Sequence, residues 1–115
     1  MARIRHMAVK TADVPKLADF YKNVFGLTEV SRGKRSIYLS DGHINMAILP
    51  AEGGPEGIDH FGFEVEDPQK MADSAVEAGA RQGPRDLPRD GRFAEVFIKD
   101  PAGQRVDLSK QGWKT

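Results

Sequence analysis

His6 and His60 stand at equivalent points of an internal repeat. Residues 4–23 recur at 58–77 without a gap: Ile4 meets Ile58, His6 meets His60, Asp13 meets Asp67, Lys16 meets Lys70, Ala18 meets Ala72 and Asp19 meets Asp73. A repeat of about half the chain predicts two copies of one structural unit. Matched histidines suggest a site built on the symmetry between the copies. Asp107, near the end of the chain, supplies a third donor. Two neutral imidazoles and one ionised carboxylate suit a divalent transition metal such as iron, manganese, nickel or zinc. Three protein ligands leave up to three coordination positions for water or substrate, as a catalytic metal requires. The expected metal set is therefore His6, His60 and Asp107.

Hydrophobic periodicity gives the elements that must position these residues. Ile4–Val9 alternates as a strand. Asp13 is a good helix N-cap, with Pro15 in the first turn. Leu17, Phe20, Tyr21, Val24 and Phe25 follow at helical spacing to Gly26. Strands are expected over 27–31, 35–39 and 44–49, with Gly33 and Asp41-Gly42 in the turns. Ala51–Gly57 (AEGGPEG) is a linker. Ile58–Val65 then repeats the opening strand, and Asp67-Pro68 repeats the cap of a helix running to Gly79. Strands at Arg81-Gln82, Phe93–Ile98 and Gln104–Ser109 complete the second copy. The fold class is α+β: one domain over 1–115 with two βαβββ modules, 1–50 and 57–110. The later parts match at a larger offset, with Gly42 on Gly103, Ile37 on Ile98 and Met46 on Asp107. The difference places an insertion at Gly83–Arg92, and loops of that length inside small domains are often functional. Its Arg85, Arg89 and Arg92 read either as an anion-engaging lid or as a solvated loop.

Alternate residues of a strand point to opposite sides of the sheet. His6 then shares a face with Ile4 and Ala8, His60 with Ile58 and Gly62, and Asp107 with Arg105 and Ser109. Met7, Val9, Phe61, Phe63, Val106 and Leu108 take the other face, which should pack against the helices. The polar face of a concave sheet, with small Ala8 and Gly62 beside the histidines, is a plausible ligand cavity. Met46 is expected at the symmetric counterpart of Asp107, lining the pocket; a thioether is a poor ligand for such ions. Ala8, Met46, Gly62 and Arg105 are thus the expected substrate contacts. Arg105 either binds an anionic substrate or pairs with a carboxylate. His43 should face away. Phe20, Tyr21 and Phe25 serve either helix packing or a dimer face, and Trp113 either packs back on the sheet or lies at an interface.

The bulk numbers narrow the classes. Lys+Arg and Asp+Glu are both 17 among 115 residues, so the net charge is zero. That balance argues against a general nucleic-acid or polybasic membrane binder. The absence of cysteine excludes disulfides, thiolate zinc sites and cysteine nucleophiles. No apolar run approaches the roughly 20 residues of a membrane span, and the opening lacks a signal-peptide pattern. A cytoplasmic protein is the expectation.

Four segments carry a family resemblance: His6-Met7-Ala8-Val9, the helix end Asp19-Phe20-Tyr21-Lys22-Asn23-Val24-Phe25-Gly26-Leu27, His60-Phe61-Gly62-Phe63, and Asp100-Pro101-Ala102-Gly103-Gln104-Arg105-Val106-Asp107-Leu108. Together they resemble the vicinal oxygen chelate superfamily. Its members include glyoxalase I, fosfomycin-resistance thiol transferases, bleomycin-resistance proteins, methylmalonyl-CoA epimerase and extradiol dioxygenases. The resemblance implies a cupped, barrel-like mixed sheet with helices outside. In metal-dependent members the first and fifth strands each give a ligand, usually His, and the eighth gives a Glu. His6 and His60 match by position and type, and Asp107 by position with a shorter carboxylate. Glyoxalase I adds a fourth-strand ligand where this chain has Met46, so a three-ligand set is nearer to the dioxygenases or fosfomycin transferases. The resemblance further implies a homodimer. Two functions stay open. One is a metal-dependent enzyme of lyase, isomerase or dioxygenase type, chelating two neighbouring oxygens of a small substrate. The other is a metal-free protein that sequesters a small molecule, as bleomycin-resistance proteins do.

Overall fold

A computed structural model describes residues 2–81 and 96–115. Its contacts divide the chain into two compact units, one of His6–Asp59 with Lys114–Thr115, the other of Met1–Arg5 with His60–Trp113. They are called here the His6 unit and the His60 unit.

The His6 unit is built from β1 (Arg3–Thr11, all but its first three residues), α1 (Val14–Phe25), β2 (Thr28–Arg32), β3 (Ile37–Ser40) and β4 (Asn45–Pro50). Asp13 caps α1 by accepting the Lys16 N–H at 3.1 Å, and Gly26 ends it in a left-handed conformation. The strands lie in the order β2-β3-β4-β1. β1 and β4 run parallel, with α1 in the crossover between them, while β3 is antiparallel to both β2 and β4. Val9, Val14, Ala18, Ile37, Leu39 and Ile48 form the core, with Met7, Leu17, Tyr21, Leu27 and Met46 packed against it. Met7 and Val9 thus face the helix, as strand parity requires. Ala18 has no solvent exposure; its single methyl lets α1 lie close on the sheet.

The His60 unit holds α2 (Pro68–Glu77), β6 (Val96–Lys99), β7 (Arg105–Ser109) and most of β5 (Gly57–Glu64). Its strand order is β5-β7-β6, with β5 parallel and β6 antiparallel to β7. Asp67 caps α2 as Asp13 caps α1, at φ −137° and ψ 92° against −134° and 90°. Val65, Ala72, Val96, Ile98, Val106 and Leu108 form its core. The expected α+β class therefore holds, with seven strands and two helices among the described residues. The expected strand at Arg81-Gln82 lies at the edge of the described residues, and the insertion Gly83–Arg92 lies outside them. Arg81 itself donates its N–H to the Lys99 carbonyl at 2.7 Å.

Two aromatic residues depart from core packing. Phe20 is 50% and Phe25 63% exposed, while Tyr21 packs on the core. The buried stripe of α1 runs through Val14 and Ala18, and Phe20 lies off it. The three rings contact one another instead, with centroids 5.3–6.2 Å apart. Among the described residues no helix is long and apolar enough to cross a membrane.

Leu39 is fully buried at the centre of the His6-unit core. Leu39→Ala is expected to lower unfolding free energy by about 2–5 kcal/mol, read from the urea midpoint.

Candidate functional site

His6 is only 4% exposed, and its register partner across the β1–β4 pair is Asn45, itself 2% exposed. Register partners in a parallel pair share a face, and the two side chains meet: His6 Nδ1 lies 2.9 Å from Asn45 Oδ1. The other end of the Asn45 amide, Nδ2, donates to the Lys114 backbone carbonyl at 2.9 Å. A carbonyl only accepts, so that contact fixes which way the amide points. Oδ1 then faces the ring, and Nδ1 of His6 carries the hydrogen. In the neutral imidazole this puts the lone pair on Nε2, the arrangement that a metal-binding histidine uses. Asn45 was not singled out from the sequence. The available signal was one polar residue opening the otherwise apolar strand Asn45-Met-Ala-Ile-Leu-Pro.

The register also moves the counterpart of Asp107. Ala8 pairs with Ala47 in one unit, and Gly62 pairs with Asp107 in the other. Ala8 and Gly62 are equivalent in the repeat, so Asp107 corresponds to Ala47. Met46 is not a pocket residue: it pairs with Met7 and packs into the helix-side core. The cause lies in the turns. Asp41 Oδ1 accepts the N–H groups of His43 and Ile44, whereas Asp100 Oδ1 accepts those of Ala102 and Gln104. The second turn spans one residue more. Backbone N–H groups from Ile44 and His43 also hold the Asp41 carboxyl below its ordinary pKa.

In the His60 unit, His60 Nε2 lies 3.1 Å from Asp107 Oδ2, with the two side chains 6% and 1% exposed. Arg105 donates from Nε to Asp107 Oδ1 at 2.8 Å and from Nη2 to Oδ2 at 3.4 Å. Of its two expected roles, Arg105 takes the carboxylate pair, and its guanidinium also lies over the Phe97 ring, 4.9 Å from the centroid. A buried carboxylate costs several kcal/mol unless charged or hydrogen-bonding partners replace water. Arg105 and His60 are such partners.

Of the small residues expected on this face, Ala8 is fully buried. Gly62 is covered by Trp113, whose Cη2 is 2.7 Å from the point where a Cβ would stand. Trp113 therefore packs back on the sheet. His43 is exposed, and the parity argument that turned it away from the site goes with the moved Met46. Tyr38 and Glu95, polar residues in strand-like sequence, were open candidates for a general base or hydrogen-bond donor; Tyr38 accepts a hydrogen bond from Ser36 at 3.2 Å, and Glu95 lies outside the described residues.

The family profile of the Glyoxalase/Bleomycin resistance protein/Dioxygenase superfamily matches residues 3–108, and the chain belongs to that superfamily. Solved structures share its fold at low identity. A hypothetical protein from Bacillus halodurans C-125 has a TM-score of 0.77 at 15% identity, covering 99% of this chain and 97% of its own. Methylmalonyl-CoA epimerase from Mycobacterium tuberculosis has a TM-score of 0.75 at 16% identity, with coverages of 92% and 85%. An extradiol ring-cleaving dioxygenase from B. fuscum has a TM-score of 0.75 at 20% identity; the match covers 98% of this chain but 33% of the dioxygenase.

Asn45→Leu removes the acceptor at His6 and the donor at Lys114. A loss of about 1–3 kcal/mol is expected, measured by chemical denaturation. Arg105→Met should cost about 1 kcal/mol, near the low end because its side chain is 40% exposed.

Proposed function

We propose that the protein is a metal-dependent enzyme in which His6, His60 and Asp107 hold a divalent ion. The ion, iron, manganese, nickel or zinc, would chelate two neighbouring oxygens of a small substrate. The observation that carries this reading is that all three residues are buried and each is already oriented by a partner within its own unit. Asn45 leaves Nε2 of His6 as the ring's lone-pair atom. His60 and Asp107 present Nε2 and Oδ2 to each other at 3.1 Å, where a bound cation can replace the shared hydrogen. When bound, such an ion supplies Lewis-acid stabilisation of an enolate or oxyanion. Arg105 would hold the ionised Asp107 in place while solvent is excluded. Lyase, isomerase and dioxygenase chemistry all fit this arrangement, and a homodimer in the cytoplasm is part of the proposal.

A second reading is favoured by one observation. Both oxygens of Asp107 already face Arg105, and the fourth symmetric position is Ala47, which offers no donor. In that reading the pocket sequesters an organic molecule without metal, and the histidines are hydrogen-bond partners.

Thermal unfolding with manganese, iron, nickel or zinc, then with chelator, separates the two. A ligand at a hundredfold its Kd stabilises the folded state by about 2.7 kcal/mol. The enzyme reading expects a metal-dependent rise in Tm that chelator reverses and that His60→Ala abolishes. No response to any of the four ions contradicts it.

A further inference from the structure

Trp113 is the only tryptophan of the chain. The turn that carries it is tied to the sheet. Ser109, which is fully buried, accepts the Gly112 N–H on its hydroxyl at 3.2 Å. Gly112 has φ +69°, a conformation that side chains rarely adopt. The Glu64 carboxylate packs directly on Gly112, filling the place of any Cβ there. Two glycines thus shape one contact: Gly112 lets the chain turn back, and Gly62 leaves the space that the indole fills.

The place where the indole lands matters for the site. Gly62 follows His60 by two residues on the same face of β5 and is the register partner of Asp107. The indole edge lies at 2.7 and 3.0 Å from the missing Cβ of Gly62, and the Asp107 carbonyl oxygen lies at 3.1 Å. A molecule approaching His60 and Asp107 from this face meets the ring.

We propose that Trp113 is a specificity-determining wall, set over Gly62, that limits the size of the ligand admitted beside His60 and Asp107. This rests on the reading of His60 and Asp107 as the ligand site. The ring takes the part of the face that sequence parity assigned to substrate at Gly62. Small chelators with two adjacent oxygens fit beside it; ligands that extend over β5 do not.

The test uses the full chain, loaded with manganese and, in parallel, held in EDTA. Its two probes are oxalate and 4-nitrocatechol, which both present neighbouring oxygens but differ in size. Trp113→Ala is expected to leave the oxalate Kd within about twofold and to tighten 4-nitrocatechol by about tenfold, with Trp113→Phe between. Equal shifts for both probes, or no shift for either, overturn the wall. Failure of the metal reading shows differently: the wild-type chain takes up no manganese, while the size effect on 4-nitrocatechol persists in EDTA. No binding of either probe to either protein under both conditions overturns the wall as well. A metal-free measurement checks the contact itself. Gly62→Ala should push the indole off β5 and raise acrylamide quenching of its fluorescence; unchanged quenching contradicts the placement.

Discussion

A carboxylate removed from water is the constraint around which the His60 unit is arranged. Asp107 is 1% exposed, and a charge so placed is tolerated only with partners in good geometry. Arg105 provides one from the same strand, two residues away, and His60 provides another from the neighbouring strand. The Arg105 guanidinium is steadied in turn by the Phe97 ring, on the strand at the other side. Three strands thus converge on one side chain. The arrangement fixes the direction of the Asp107 oxygens and the rotamer of His60, and that fixed direction is what a metal or a polar ligand would exploit.

The His6 unit meets a related demand by different means. It buries an imidazole and satisfies it with an uncharged amide, Asn45, anchored on a backbone carbonyl. The duplication therefore keeps the histidines and caps while diversifying their partners. One copy carries Arg105 and Asp107 on β7; the other carries Asn45 and Ala47 on β4.

Much of this was readable in the chain. Asp13 and Asp67 announce both helices because a short carboxylate before a proline-bearing first turn is a local signal. The faces of Met7, Val9 and Leu108 followed from period-two alternation. Met46 did not follow, because its position was carried over from the turn glycines Gly42 and Gly103. Turn glycines are set by φ, +94° and +91° here, and not by strand register. A single extra residue after Asp100 shifts the alignment by one, which moves a side chain to the opposite face. Asn45 was missed for the same reason: the shifted alignment put it on the helix side, despite its polar side chain in an apolar strand. Phe20 and Phe25 stayed open between helix packing and a dimer face because helical spacing gives an apolar arc, and only the tertiary fold selects which part of it is buried. The pairing of Arg105 with Asp107 was one of two open readings, since i and i+2 side chains share a strand face but need not touch.

Nitrogen-15 NMR of the three histidines tests the account most directly. In the metal-free protein His6 should appear as the Nδ1–H tautomer, with Nε2 unprotonated. Addition of zinc should move the Nε2 resonances of His6 and His60 together and leave exposed His43 unchanged. An Nε2–H tautomer at His6, or zinc shifts confined to His43, would contradict the proposed metal set.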